Sequence, residues 1–323
     1  HDGSNARAWV CFRFEAGGGP DRTLPEGTQL LTRGPVAQPT LDPADLDRAL
    51  RVEKPEVFET LHAVTLQQAR TEVRFYSWGD SRCCLPRGAT RASVLKRPSP
   101  GDPDLTLAAG DMLVFEEVKG PTTGLPEDAD PAHRHAVRLT AVEETVDPLT
   151  APPTPVINIE WGAEDALPFP LCISAELESG QQLADVSVAR GNVALADHGR
   201  RFVDQPLGSV PQTGRFRPRL EDWPLTMQGQ VYDRETRSLI PFDPQASASA
   251  AMRCEMRNVR PWITLQGGGE GWTPRRDLLN SSRFRTDFLV ETEPDGPATL
   301  RFGDNVLGKR PAAGAAFSAT YRF

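Results

Sequence analysis

The chain has 323 residues, enough for roughly two or three domains with interiors of their own. Lys and Arg number 36 against 44 Asp and Glu, a net charge of −8, so no basic field exists to hold a phosphate backbone and nucleic acid is excluded as the default partner. Hydrophobic residues make up 38% and charged residues 25%, without an apolar run of about 18 positions, so neither a membrane-spanning helix nor a membrane partner is expected.

Glycine (27) and proline (30) punctuate the chain too often for long helices. The expected class is mainly β with a few short helices. One punctuation recurs, a small or proline residue, any residue, glycine, and then an apolar alternation. It starts at Leu24-Pro25-Glu26-Gly27 and returns at Pro86-Arg87-Gly88, Ala108-Ala109-Gly110 and Ala312-Ala313-Gly314. Glycine there supplies the positive φ of a turn, and a strand should follow each time. The best helix is Leu41 to Leu50, with Asp42 as cap, Pro43 in the first turn and Leu46, Ala49 and Leu50 as its apolar stripe. The stretch 145–156 holds four prolines in twelve residues, so it should run extended, and a domain boundary is placed there. In Val156 to Trp161, Ile157, Ile159 and Trp161 share one face and Asn158 and Glu160 the other, as in a half-buried strand. A hairpin turning at Gly191-Asn192 is expected over 185–195, and loops of small residues over 241–251 and 266–272. A short helix starting at Thr273-Pro274 should carry Leu278 and Leu279 inward. A second hairpin over 287–302 should turn at Pro294-Asp295-Gly296.

These elements predict small antiparallel β-barrel or sandwich modules inserted in a shared framework. The framework takes 1–74, a small β module 75–150, a second β module 156–270, and the C-terminal framework 271–323 leads toward a further domain. The first residue is His1, and the chain stops in the apolar alternation from Phe317 to Phe323, so a segment of a longer protein is expected. No signal peptide is read near the start.

Motifs for chemistry fail on their partners. Gly79-Asp80-Ser81 matches the nucleophile loop of trypsin-like proteases, but Arg82 stands where glycine must free an oxyanion-binding amide. Ser93 and Lys96 have the Ser-x-x-Lys spacing of penicillin-recognising enzymes without the Ser-Asp-Asn and Lys-Thr-Gly partners. His133 and His135 would share a strand face, geometry acceptable to zinc, yet no third ligand is apparent, and a structural His pair is expected. Glu116-Glu117 and Glu143-Glu144 point apart in a strand and cannot flank one glycosidic bond. The triple glycines 17–19 and 267–269 lack the ending of a phosphate loop. Five cysteines (11, 83, 84, 172 and 254), odd in number and irregular in spacing, read as reduced thiols, and vicinal Cys83-Cys84 would face opposite ways. The six dispersed tryptophans read mainly as core. No catalytic residue, metal or cofactor is expected.

Several blocks resemble the baseplate J-like wedge proteins, the baseplate assembly proteins of actinobacterial contractile phage tail-like injection systems. They are RFYSWGDSRCCLPRGAT (74–90), LAAGDMLVFEEVKGPTTG (107–124), DADPAHRHAVRLT (128–140) and IEWGAEDALPFPLCIS (159–174). DVSVARGNVALADHG (185–199), WTPRRDLLNSSRF (272–284) and RFGDNVLGKRPAAGAAFSATYR (301–322) continue the likeness, the last most specifically. The resemblance implies a structural baseplate wedge component that links tube, sheath and peripheral baseplate and rearranges on firing. It also implies six copies per particle and, as partners, other wedge subunits, a sheath-initiating baseplate protein and tube-hub proteins. Assembly would take place in the bacterial cytoplasm. Candidate interface residues fall on polar, turn-rich loops: Trp78, Asp80 and Arg82; Asp128, Asp130 and Arg134; Arg301, Asp304 and Lys309. The competing readings are a carbohydrate- or receptor-binding β module of the same type of particle, and a hydrolase.

Overall fold

The structure, a computed structural model, describes residues 3–14, 19–32, 40–52, 54–99, 101–235, 237–292 and 296–323, without the side chains of residues 43 and 47. It is mainly β, built from several sheets, with only short helices. Among the described residues no helix is long and apolar enough to cross a membrane.

All four glycine punctuations become turn-to-strand entries. Gly27, Gly88, Gly110 and Gly314 have φ of +79°, +86°, +94° and +81°, and the strands Gln29–Leu31, Arg91–Leu95, Met112–Glu117 and Ala316–Arg322 begin two or three residues later. The helix Pro43–Val52 also forms where the sequence places it, with the Asp42 carboxylate accepting from the Ala44 amide at 2.8 Å.

Three sheets carry the architecture. The first has four antiparallel strands in the order Arg7–Cys11, Val193–His198, Val57–Thr60, Gln29–Leu31. In the second, six antiparallel strands run Val73–Arg74, Ser187–Arg190, Met112–Glu117, Arg134–Asp147, Thr154–Trp161, Arg91–Leu95. Its two edges meet through a bridge between Phe75 and Val94 and a bond from the Tyr76 amide to the Ser93 carbonyl, so this sheet closes into a small barrel with no free edge there. Ile157, Ile159 and Trp161 point into it as their alternation requires, and Phe115 sits between Phe75 and Trp161 with both edge-to-face centroid distances 5.1 Å. The third sheet has the order Arg201–Ser209, Ala316–Arg322, Ile263–Gly267, Glu270–Arg275, Asp287–Glu291, Thr299–Phe302, packed over Trp272, Phe288, Phe317 and Tyr321.

Several expectations are corrected. The proline-rich stretch 145–156 forms the end of a hairpin, with Asp147 opposite Thr154, so strand pairing in the barrel runs across the boundary placed there. The segment 185–195 is no hairpin: Ser187–Arg190 pairs inside the barrel, while Val193–His198 pairs in the first sheet. Asn192 turns the chain between them, its amide bonding the Gln67 backbone N–H at 2.8 Å and C=O at 2.9 Å. Thr273 and Pro274 lie in a strand, antiparallel to 263–267 and parallel to 287–291, where Pro274 falls beyond the last pair with 263–267 and withholds no N–H from that ladder. Leu278 is buried as expected, but Leu279 is exposed. The 266–272 loop is a two-residue hairpin turn in which Gly268 and Gly269 both have positive φ. The 241–251 loop ends in a short helix, Ala248–Ala251, capped by Ser247. The 287–302 hairpin pairs as expected, Phe288 opposite Phe302, with Pro294 and Asp295 of its turn outside the described residues, as are Gly17 and Gly18.

Candidate interaction surface

The two loops before and beside the barrel strands are fastened inward. Trp78, at φ +56° and half exposed, donates from Nε1 to Ser93 Oγ at 3.0 Å and packs edge-on against Tyr76. Asp80 accepts the Arg82 amide at 2.9 Å, and Arg82 pairs with Glu176 at 2.9 Å. Asp128 ends a 3-10 turn, and Asp130 accepts the Ala132 amide at 2.8 Å while its own amide donates to buried Glu117 at 2.9 Å. Arg134 reaches Glu116 at 3.3 Å, and that carboxylate also takes buried Arg190 at 2.7 Å. His133 bonds Glu117 at 2.8 Å and His135 the Asp165 carbonyl at 2.9 Å, with both rings against Phe169. Glu116 and Glu117 thus point apart, as alternation in a strand demands.

The third loop, 301–310, belongs to the last sheet, and its sequence is consumed by its own geometry. A Cβ on Gly303 would lie 2.2 Å from the Gly308 carbonyl carbon, so the two backbones can touch only because position 303 has no side chain. The Asp304 carboxylate accepts the amides of Val306 and Leu307, each at 2.9 Å, and these bonds hold its pKa below the usual carboxylate range. Asn305 takes φ +71°, and its side chain accepts the Arg310 amide at 2.8 Å. The loop is then laced to 276–286 by the Gly308 amide on the Ser281 carbonyl and the Lys309 amide on the Arg285 carbonyl, both 2.9 Å. Lys309 also reaches Glu270 at 2.5 Å, and Arg301 reaches Glu291 at 3.3 Å.

Among the polar and charged residues exposed on this laced pair of loops stand four large apolar ones. Leu279, Phe284 and Val306 are 73%, 75% and 73% exposed, and Leu307 is partly so. Arg283 lies over the Phe284 ring at 4.8 Å. Two loops bonded to each other that together expose a large aromatic and three aliphatic side chains amid arginines have the make-up of a docking surface. Arg301, Asp304 and Lys309 lie on the same chain segment as Val306 and Leu307. The apolar quartet itself escapes the sequence, because Leu278-Leu279 reads as a helix stripe. A usable signal was present: apolar residues inside the polar, turn-forming runs 277–285 and 303–310 with no strand alternation to bury them.

No protein-family model matches the chain, and no curated protein does. Among solved structures it has a likeness to a chain of the type VI secretion system TssK-TssF-TssG baseplate subcomplex, with a TM-score of 0.35 and 9% identity over 99% of this chain and 60% of that one. The chain therefore spans less than two thirds of that neighbour, and a likeness at this level fixes neither fold nor role.

Proposed function

We propose that this chain is a structural part of a contractile injection baseplate, of the J-like wedge kind, and that its product is shape rather than chemistry. The observation that carries this reading is the apolar quartet on the laced loops 276–286 and 301–310, which lies within the sequence blocks that resemble the wedge proteins. In this role the barrel and the last sheet act as stiff spacers. The quartet docks on a neighbouring subunit, and the arginines around it set orientation more than strength. Six copies around a central tube would repeat one modest contact, which sums to firm assembly yet can rearrange when the particle fires. Assembly in the bacterial cytoplasm, with wedge, sheath-initiating and tube-hub subunits as neighbours, belongs to the same proposal.

Mass spectrometry of intact particles from the producing cell tests it: the chain should be present in stoichiometric amount with sheath and tube. The paired substitutions Phe284→Asp and Val306→Asp should leave the isolated chain within about 0.5 kcal/mol of its stability, as exposed changes usually do, and remove it from the particle. Undiminished incorporation of that variant would sink the docking surface, and absence from particles of the unaltered chain would sink the role.

A further inference from the structure

Cys84 and Cys172 face each other across the only two rungs of a small ladder, Cys84–Leu85 against Leu171–Cys172. The Ile173 amide donates to the Cys83 carbonyl at 2.8 Å, a bond that brackets the 84–172 pair from outside and marks it as a non-bonded rung. Residues at such a rung have Cα atoms about 4.5 Å apart and the closest side chains of any antiparallel pair, at the short end of the range a disulfide spans. Cys172 Sγ donates to the Ser174 carbonyl oxygen at 3.4 Å, and the facing Cys84 thiol helps to raise its pKa. Cys84 is exposed and Cys172 partly so, and both line one surface depression of about 520 Å³ beside Arg82, Ser174 and Glu176. Vicinal Cys83 turns the other way, against the barrel core.

We propose that Cys84 and Cys172 form a reversible cross-strand disulfide that clamps the side of the barrel. The oxidant is a low-molecular-weight disulfide. The Cys84 thiolate attacks one of its sulfurs, forms a mixed disulfide and releases the first small thiolate. The Cys172 thiol then gives up its proton, its thiolate attacks Cys84 Sγ, and the second small thiol leaves. Two electrons pass from the protein to the small disulfide, which ends as two thiols. Burial, and then the facing Cys84 thiol, hold the Cys172 thiol up at about 12, so exposed Cys84 is the group that begins the exchange. The bridge closes a loop that contains the barrel strands 91–95, 112–117, 134–147 and 154–161, and its ends sit next to the core residues Leu171 and Ile173. Oxidation therefore adds a covalent tie to a module whose edges are otherwise held by hydrogen bonds and packing.

The test treats the full chain with oxidised glutathione and reads intact mass, a non-reducing peptide map and the thermal midpoint. The unaltered chain and Cys83→Ser should each lose two hydrogen atoms in mass, join the Cys84 and Cys172 peptides, and melt several degrees higher, reversibly with dithiothreitol. Cys172→Ser should stop at a glutathione adduct on Cys84, and Cys84→Ser should not react at either position. A stable glutathione adduct on Cys84 of the unaltered chain, a Cys83–Cys84 bridge, no loss of thiols, or a bridge without a rise in midpoint would each overturn the proposal.

Discussion

Arg322 is the most consequential single residue. It is buried in the last sheet, yet its guanidinium pairs with the buried Asp197 carboxylate and donates to the carbonyls of Asp197 and Gly199 at 2.9 and 3.1 Å, all on the first sheet's side. Gln228 completes Asp197 from the other direction at 2.9 Å, and Glu59 approaches Arg322 at 3.3 Å, its pKa pushed up by burial while the arginine opposes the shift. Removing one member of such a group strands a charge without water, so Arg322→Leu or Asp197→Ala should cost about 3–5 kcal/mol, read from denaturant midpoints at constant slope. A loss below about 1 kcal/mol would show that the site relaxes by admitting water. The thiols offer a second check at this scale. Burial, with Glu116 adding to it, raises the Cys11 thiol to about 11, and Cys172 stands near 12. Only the thiolate reacts, so near pH 8 their iodoacetamide labelling should lag behind that of Cys84 and climb roughly tenfold per pH unit toward those values.

Single elements separate what could be read from the chain from what could not. The four glycine-led strands and the 156–161 alternation were legible because turn conformation and face are local properties. The crossover at Gly191-Asn192 was not. Its flanking strands are buried on both faces, and their partners, 73–74 and 112–117 on one side and 7–11 and 57–60 on the other, are remote in sequence. Thr273-Pro274 misled for a related reason, since a proline near the start of a helix and one beyond the end of a strand pairing look alike without the partner. Of the proposed surface, the sequence pointed to the turn-rich loop that carries Arg301, Asp304 and Lys309, whereas the exposure of Leu279 and Phe284 needed the fold. Two substitutions follow. Asn192→Ala removes a buried side chain and leaves the half-buried Gln67 N–H and C=O without their partner, and it should cost about 2–3 kcal/mol. Gly110→Ala meets no atom within 4 Å but must hold φ +94°, so its cost should be about 1–2 kcal/mol, from backbone strain alone. Equal losses at the two positions would count against this distinction.

At the scale of the whole molecule, the strand Ala316–Arg322 joins the last sheet to the first. It lies between Arg201–Ser209 and Ile263–Gly267 in the last sheet, supplies Phe317 and Tyr321 to that core, and ends on Arg322 at the contact with the first sheet. Deleting residues 316–323 should therefore abolish the last sheet and weaken the first, seen as loss of the near-ultraviolet aromatic signal and rapid proteolysis on both sides of residue 200. A truncated chain that keeps a protease-resistant first sheet would show that the buried charge group contributes little to coupling. The barrel is different, since its closure by Phe75 and Val94 is internal, and it should persist longest.

The crossover at 191–192 also determines how force travels. With two residues between a strand clamped on both flanks in the barrel and one clamped on both flanks in the first sheet, there is no slack to absorb tension. A tug on either body reaches the other at once and loads both ladders in shear, the direction in which many rungs resist together. The joint behaves as a short rigid link and not as a hinge.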